Sequence, residues 1–252
     1  MPKVSVCIPT YDYVGGGGDT FLQRSLEYLT EQTSDNFEVV VSDQSDVDNI
    51  KKCVESFSSR LDIKYFQNEK GTGMSHNTNN CIENSCGELI KPIFQDDFVF
   101  DYFTIETLIR EHDKLNKEWY SFKYNHYRND RGSDWHFSEE ENPYYNHDTL
   151  LGANRLSSPT AIAFTNKPEH RFDNAVCMAM DCDFYYRMYE AYGEPHYMND
   201  KSYVSMTLHS GQSQKNNNDE VMVAELDHLI QKHNLDRESL RKKNFPFKQY
   251  LR

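Results

Sequence analysis

An α/β fold with a mainly parallel central sheet and flanking helices follows from three features of the sequence. Short β-rich runs alternate with longer stretches of helical period through the first hundred residues. The runs are nearly continuous in apolar residues, as strands covered on both faces require. Each ends on a short polar segment, the punctuation expected where a strand leaves a sheet.

In order, "KVSVCIP" is the first strand, "FEVVVSD" the second, "IKYFQN" the third and "ELIKPIF" the fourth. The intervening segments at 20–32, 46–57 and 74–86 have helical spacing, with Phe21, Leu22, Ser25, Leu26 and Leu29 on one face of the first. This β-α-β-α-β-α-β order predicts right-handed crossovers, with ligands bound beyond the carboxyl ends of the strands. The second half is less regular. A helix is expected over 102–115, one strand over 119–127, and a loop rich in rings and charges through "RNDRGSDWHFSEEENPYYNHD". "PTAIAF" is a further strand, "MDCDFYYRMYEAYG" a helix ended by Gly193, and "KSYVSMTLH" a last strand. Met222, Leu226, Leu229, Ile230 and His233 share one face of a closing helix.

Composition narrows the function. A formal charge of -13 argues against nucleic acid as a partner, since phosphate binding needs clustered cations. An anionic substrate therefore needs local help from a metal ion or a helix N-terminus. The six cysteines form neither a CxxC pair nor a zinc spacing and are read as free thiols of a reducing cytoplasm. The N-terminal apolar stretch is too short for a signal peptide, and no apolar run spans a membrane.

The strand exits "PTYD", "SDQSD", "NEKGTG" and "QDD" are all polar and short, so their side chains can meet over one sheet edge. Asp96 and Asp97 end the fourth strand. Hard cations such as Mg²⁺ and Mn²⁺ prefer carboxylate oxygens and bridge to substrate phosphates, whereas an acid pair at a strand end also serves as a turn or helix cap. The glycine run "YVGGGGD" lacks the GK[ST] ending of a phosphate loop and is read as a flexible loop at a strand exit.

"VSVCIPTYD", "QTSDNFEVVVSDQSDVD", "NEKGTGMSHNTNNCIENSCGELI" and "FQDDF", in this order and spacing, resemble the family 2 glycosyltransferases of the GT-A fold. The resemblance covers roughly the first 100 residues. It implies that Pro9, Thr10 and Tyr11 shape a nucleobase pocket, that Asp43 contacts the base, and that Asn79 lies near the nucleotide. It gives Asp96 the metal and diphosphate role, with Asp97 beside it, while Phe94 stands where the first acid of the Asp-x-Asp motif often is. Bland alternatives stand beside each: Pro9 and Tyr11 end a strand, Asp43 caps a helix, Asn79 sits on a helix surface.

In the second half, "MAMDCDFYYRM" resembles the family's Glu-Asp-x-Asp-x-x-x-Arg pattern with Met180 in place of the Glu. The match makes Asp181 the candidate base, with Asp183 and Arg187 in support; both acids also complement a helix dipole, and Asp183 can pair Arg187 at i+4. "TLHSGQS" resembles the family's Arg-x-His-x-Gly-Gln-x-Ser ending. His209 then faces the diphosphate or metal, or is a half-buried strand-end histidine, and Thr207 stands where an Arg is frequent. Ser158 and Thr160 are candidates for sugar hydrogen bonds. Trp135 or Tyr127 can stack on an acceptor sugar, or pack a surface loop.

The chain is expected to form one domain over 1–235, with a nucleotide-binding half (1–100) and an acceptor half (101–235), followed by a basic segment at 236–252 with six Lys/Arg against two Asp/Glu. That segment, with Phe245, Phe247, Tyr250 and Leu251, either touches an anionic membrane carrying a lipid-linked acceptor or packs on its own acidic domain. The resemblance implies inverting, metal-dependent transfer from a nucleoside diphosphate sugar, with a UDP-sugar favoured, to a saccharide or lipid-linked acceptor. A sugar nucleotidylyltransferase and a non-catalytic carbohydrate-binding module are the alternatives.

Overall fold

The computed structural model describes residues 1–12, 18–128, 135–209 and 219–251, with the side chains at 18 and 19 left out. Most of the glycine run, the loop at 129–134 and the end of "TLHSGQS" lie outside the described residues. The elements of the first half are β1 (Val4–Thr10), α1 (Gly18–Thr30), β2 (Phe37–Asp43), α2 (Asn49–Phe57), β3 (Ile63–Gln67), α3 (Met74–Glu83) and β4 (Leu89–Pro92). They match the expected order, with boundaries shifted by a few residues.

A seven-stranded sheet is centred on β1, which pairs in parallel with β2 on one side and β4 on the other, while β3 extends it beyond β2. Every residue of β1, β2 and β4 is buried. Alternation along the strands sends side chains to two cores. Val4, Val6 and Ile8 pack with Leu22, Leu26 and Leu29 of α1 and Ile50, Val54 and Phe57 of α2, whereas Cys7 and Val40 pack with Cys81 and Ile82 of α3. Leu22, Leu26 and Leu29 follow i, i+4, i+7 spacing, and each contributes about 1.5–3 kcal/mol by leaving water. One polar residue in this buried region, Glu38, accepts from Ser5 Oγ at 2.6 Å, Lys64 Nζ at 2.5 Å and the Cys86 amide at 2.7 Å. Burial pushes its carboxyl up, yet these donors prevail and hold it at about 2.

The second half contributes β5 (Phe98–Val99), α4 (Thr104–Leu115), β6 (Trp119–Phe122), β7 (Tyr124–Arg128), β8 (His136–Phe137), β9 (Ile162–Thr165), α5 (Met180–Tyr192), β10 (His196–Met198), β11 (Val204–Leu208), α6 (Asp219–Lys232) and α7 (Arg237–Lys242). The single strand expected over 119–127 is two strands. β6 joins the large sheet between β9 and β10, and β7 joins a second sheet of order β5-β11-β7-β8. The break falls at Lys123, whose amide donates to Met198 O while its carbonyl accepts from the Tyr203 amide. β9 enters the large sheet antiparallel to both β4 and β6. α5 ends at Gly193, whose φ of 73° is the left-handed conformation that glycine adopts without strain.

The basic segment turns its rings inward. Leu240, Phe245 and Tyr250 are buried against Leu151, Met222, Leu226 and Ile230. A Cβ at Gly152, whose φ is 93°, would meet the Phe247 ring at 2.6 Å, so close packing requires glycine there. Of the side chains proposed above for membrane contact, Phe245 and Tyr250 are thus used in packing on α6, with Phe247 and Leu251 partly buried beside them. Arg241, Lys242, Lys243 and Lys248 remain exposed. Among the described residues no helix is long and apolar enough to cross a membrane. All six cysteines are free.

Candidate active site

The carboxyl ends of β1, β2 and β4 converge. At the nucleobase edge Thr10 Oγ1 donates to Asp43 Oδ1 at 3.3 Å, and Ser45 donates to the same oxygen from its amide (2.9 Å) and hydroxyl (2.5 Å). Tyr65 OH donates to Asp43 Oδ2 at 2.8 Å, and burial together with that carboxylate raises the Tyr65 phenol. Asp43 is fully buried, so a base would reach it by displacing one of these donors. Beside it a cleft of about 540 Å³ opens between the ends of β2 and β3, lined by Ser45, Asp46, Asp48, Gln67 and Asn68. Pro9 is buried in β1, and Tyr11 is half exposed at its exit.

Asn79 is not brought to this edge. Its Nδ2 donates to Phe172 O and Asn174 Oδ1, both at 2.8 Å, and its Oδ1 accepts from the Phe172 amide at 2.9 Å. The residue that α3 turns to the strand exits is Asn77, whose Nδ2 donates to Thr10 O at 3.0 Å and whose Oδ1 accepts from Ser42 Oγ at 2.7 Å. Two residues along a helix project to nearly opposite faces, so the choice follows from helix phase.

The two acids after β4 part company. Asp96 is partly exposed, and His209 Nε2 lies 3.1 Å from its Oδ2. Asp97 is buried: its Oδ2 accepts from Thr160 Oγ1 at 2.6 Å and Ser158 Oγ at 3.2 Å, and its Oδ1 from the Thr207 amide at 2.9 Å. The hydroxyls of Ser158 and Thr160, candidates for sugar contacts, are thus turned to Asp97. Burial, reinforced by the charge of Asp96, pushes the Asp97 carboxyl up to about 7 against these three donors. Lys91, fully buried in β4, donates to Thr160 O and Pro92 O beneath it, and burial lowers its ammonium to about 7. Gln95 locks the loop from the other side, since Tyr11 N donates to its Oε1 at 2.7 Å and its Nε2 donates to Tyr11 O at 2.9 Å.

The same division recurs at the start of α5. Asp183 is fully buried and bound by Arg187 Nε at 2.9 Å, Lys232 Nζ at 2.9 Å and His233 Nε2 at 2.8 Å. Burial works against its charge, but these partners, His233 foremost, hold its carboxyl well below the usual range. Asp181 is partly exposed, accepting from Asn154 Nδ2 at 2.7 Å and the Cys182 amide at 2.8 Å. Close packing raises its carboxyl above the ordinary range despite those bonds. Glu225 of α6 accepts from the amides of Cys177, Met178 and Ala179, satisfying donors at the entrance to the helix.

One short segment joins the two acid pairs. Asn154 touches Asp181; Ser157, with a strained φ of 69°, donates to Met206 Sδ of β11; and Ser158 and Thr160 hold Asp97. Trp135 stacks on Tyr127 with ring centres 4.8 Å apart at 19°, and it remains about one-third exposed.

Asp96 and His209, hydrogen-bonded to each other here, are the residues that could hold a divalent cation. Two ligands about 2.1 Å from a metal in adjacent octahedral positions stand about 3.0 Å apart, close to the Asp96–His209 spacing of 3.1 Å. Among the described residues no cluster of three or more His, Cys, Asp or Glu offers a complete cage. Substrate phosphate and water would supply the remaining positions, the usual arrangement for Mg²⁺.

Comparison with known proteins gives the family and the fold. The model of Glycosyl transferase family 2 matches residues 5–185. The chain belongs to this family. Validoxylamine A glucosyltransferase of Streptomyces hygroscopicus subsp. limoneus is 43% identical over 74 residues, 28% of this chain and 15% of that protein. GalNAc(5)-diNAcBac-PP-undecaprenol beta-1,3-glucosyltransferase of Campylobacter jejuni is 30% identical over 99 residues, 38% of this chain and 30% of that protein. The matched stretches thus span less than a third of these relatives. Among solved structures, S. aureus TarS 1-349 superposes with a TM-score of 0.62 at 20% identity, covering 98% of this chain and 68% of that one. Mannosyltransferase PcManGT of Pyrobaculum calidifontis, in complex with GDP-Man and Mn²⁺, gives 0.61 at 15% identity, covering 99% and 68%. The fold is that of the GT-A glycosyltransferases.

Sequence reasoning missed Asn77, Lys91, Gln95 and Asn154. A lysine inside the apolar run "ELIKPIF" is a readable signal for a buried partner. Asn154 sits in an irregular segment and carries none.

Proposed function

We propose that this family 2 chain transfers a glycosyl group from a nucleoside diphosphate sugar, with a UDP-sugar favoured, to a hydroxyl of a saccharide or lipid-linked saccharide, with inversion and with Mn²⁺ or Mg²⁺. The observation that carries the reading is the 154–160 segment, which joins Asp181 on α5 to Asp97, the buried neighbour of the Asp96–His209 pair at the nucleotide edge. TarS has been crystallised with UDP and with UDP-GlcNAc, and the Campylobacter relative is named for a PP-undecaprenol substrate; both support the donor and acceptor classes.

Asp96 and His209 would hold the cation, which when bound neutralises charge developing on the leaving diphosphate. Thr10, Asp43 and Asn77 shape the base edge, with the 540 Å³ cleft beside it. Asp181 accepts the proton of the acceptor hydroxyl as it attacks the anomeric carbon from the face opposite the diphosphate. A raised carboxyl is a stronger base for that task, and Asn154 fixes its orientation. Trp135 on Tyr127 offers a face for the acceptor sugar. Arg241, Lys242, Lys243 and Lys248 are exposed to an anionic membrane, although the rings beside them are not. The division into a donor half at 1–100 and an acceptor half at 101–235 belongs to the same proposal.

The test is release of free nucleotide from a panel of UDP- and GDP-sugars, with and without Mn²⁺ and saccharide acceptors. Metal-dependent release from at least one donor, weakened nucleotide binding in Asp96→Ala and lost turnover in Asp181→Asn are expected. Absence of release from every donor, with unchanged ligand binding in Asp181→Asn, would return the chain to a binding module.

A further inference from the structure

A guanidinium from α1 reaches the acid loop although no motif marks it. Phe21 and Arg24, three residues apart, lie on one face of that helix. Arg24 Nη2 donates to the main-chain oxygen of Asp96 and to Thr207 Oγ1, both at 2.6 Å. Since the Thr207 amide donates to Asp97 Oδ1, the guanidinium fastens the loop after β4 to the strand that leads into His209. Its Cζ stands 4.7 Å from the Phe98 ring centre, 5.0 Å from Tyr127 and 5.5 Å from Phe21, and Phe21 lies 4.6 Å from the His209 ring.

Packing alone does not account for this residue. The Arg24 Nε is buried without a hydrogen-bond partner, a cost that a methionine of similar length would avoid. We infer that Arg24 is a positioning residue of the donor site: it clasps the Asp96 loop to β11, holds the Asp96 carboxylate opposite His209, and adds a fixed positive charge beside the diphosphate. The inference rests on the donor reading above and extends it to a helix outside the strand exits. Arginine suits the task because one terminal nitrogen of a planar group serves two acceptors while the face of that group lies on aromatic rings, which an ammonium cannot match.

The experiment pairs Arg24→Met, which keeps stem and ring contacts without charge or donors, with Arg24→Lys, which keeps charge without the planar group. Hydrogen exchange is followed in the metal-free protein, and UDP binding with Mn²⁺ is measured by calorimetry. In Arg24→Met, exchange at 97–99 and 204–208 should quicken about tenfold while β1 and β2 stay as in wild type, and UDP should bind about 10- to 100-fold more weakly. Arg24→Lys should recover only part of the affinity. Wild-type exchange in Arg24→Met overturns the clasp, whatever happens to binding. Faster exchange in a protein whose wild type does not bind UDP with Mn²⁺ supports the clasp and overturns the donor reading instead.

Discussion

At the end of β4 and at the start of α5 the chain uses the same device with different anchors. Asp96 and Asp181 are partly open, whereas their near neighbours Asp97 and Asp183 are buried and fully engaged. The anchors differ in kind. Asp97 is held by two hydroxyls and an amide, neutral donors that leave its carboxyl raised; Asp183 is held by a guanidinium, an ammonium and an imidazole, which leave it lowered. A working carboxylate must be fixed in place without losing its free lone pairs. Here an adjacent acid takes the bonds that fix the backbone, and the open acid stays available.

The largest contrast should appear within the α5 pair. Asp183→Asn removes the buried charge to which Arg187, Lys232 and His233 bond, and should cost about 3 kcal/mol in denaturant unfolding. Asp181→Asn should lower turnover about 10²- to 10⁴-fold while changing stability far less than Asp183→Asn, because no cationic side chain is paired with its carboxylate. Equal stability losses in both variants would sink the division of roles. Acid provides an independent check on the sign. The Asp183 carboxyl is lowered on folding, as is that of Asp173, held at about 2 despite burial by Lys232 and His228. Their stabilisation is therefore complete above the unfolded value near 4. It should be lost as pH falls through the folded values, releasing α6 from α5.

A smaller effect is expected at Asp97. Asp97→Asn keeps the shape and an oxygen for the Thr207 amide, but puts an NH2 where Oδ2 accepts from Thr160 and Ser158, and should destabilise the protein by about 1–3 kcal/mol. Asp96→Asn, at a partly exposed site, should move stability by no more than about 0.5 kcal/mol and instead weaken metal-dependent nucleotide binding. Calorimetry and unfolding on the two variants separate the roles; the reverse pattern would exchange the metal ligand.

How far the sequence reveals this arrangement differs between the halves. In the first, elements are set by local period: "FEVVVSD" is β2 residue for residue, and Leu22, Leu26 and Leu29 are the buried stripe of α1. In the second, long-range partners decide. Nothing within 119–127 marks Lys123 as the point where the chain changes sheets, because the cause is its bonding to Met198 and Tyr203, some 75–80 residues on. The site divides likewise. Residue type and spacing show that acids stand at 96–97 and at 181 and 183. Which member of each pair stays open depends on Thr160, Thr207, Lys232 and His233, remote in sequence. Asn77 and Asn79 are both buried, so only the phase of α3 against the strand exits separates them.

The smallest effect tests how the open acid of α5 is tuned. Asn154 Nδ2 donates to Asp181 Oδ2, a bond that favours the charged form and opposes the upward push of burial. Removing it in Asn154→Ala should raise the carboxyl further. The acid limb of kcat/KM, which reports the free enzyme's base, should then move to higher pH. A purely structural role for Asn154 would lower turnover at every pH and leave the limb where it was. Movement toward lower pH would mean that Asp181 is not the group whose ionisation limits the reaction, and the base would have to be sought elsewhere around the 154–160 segment.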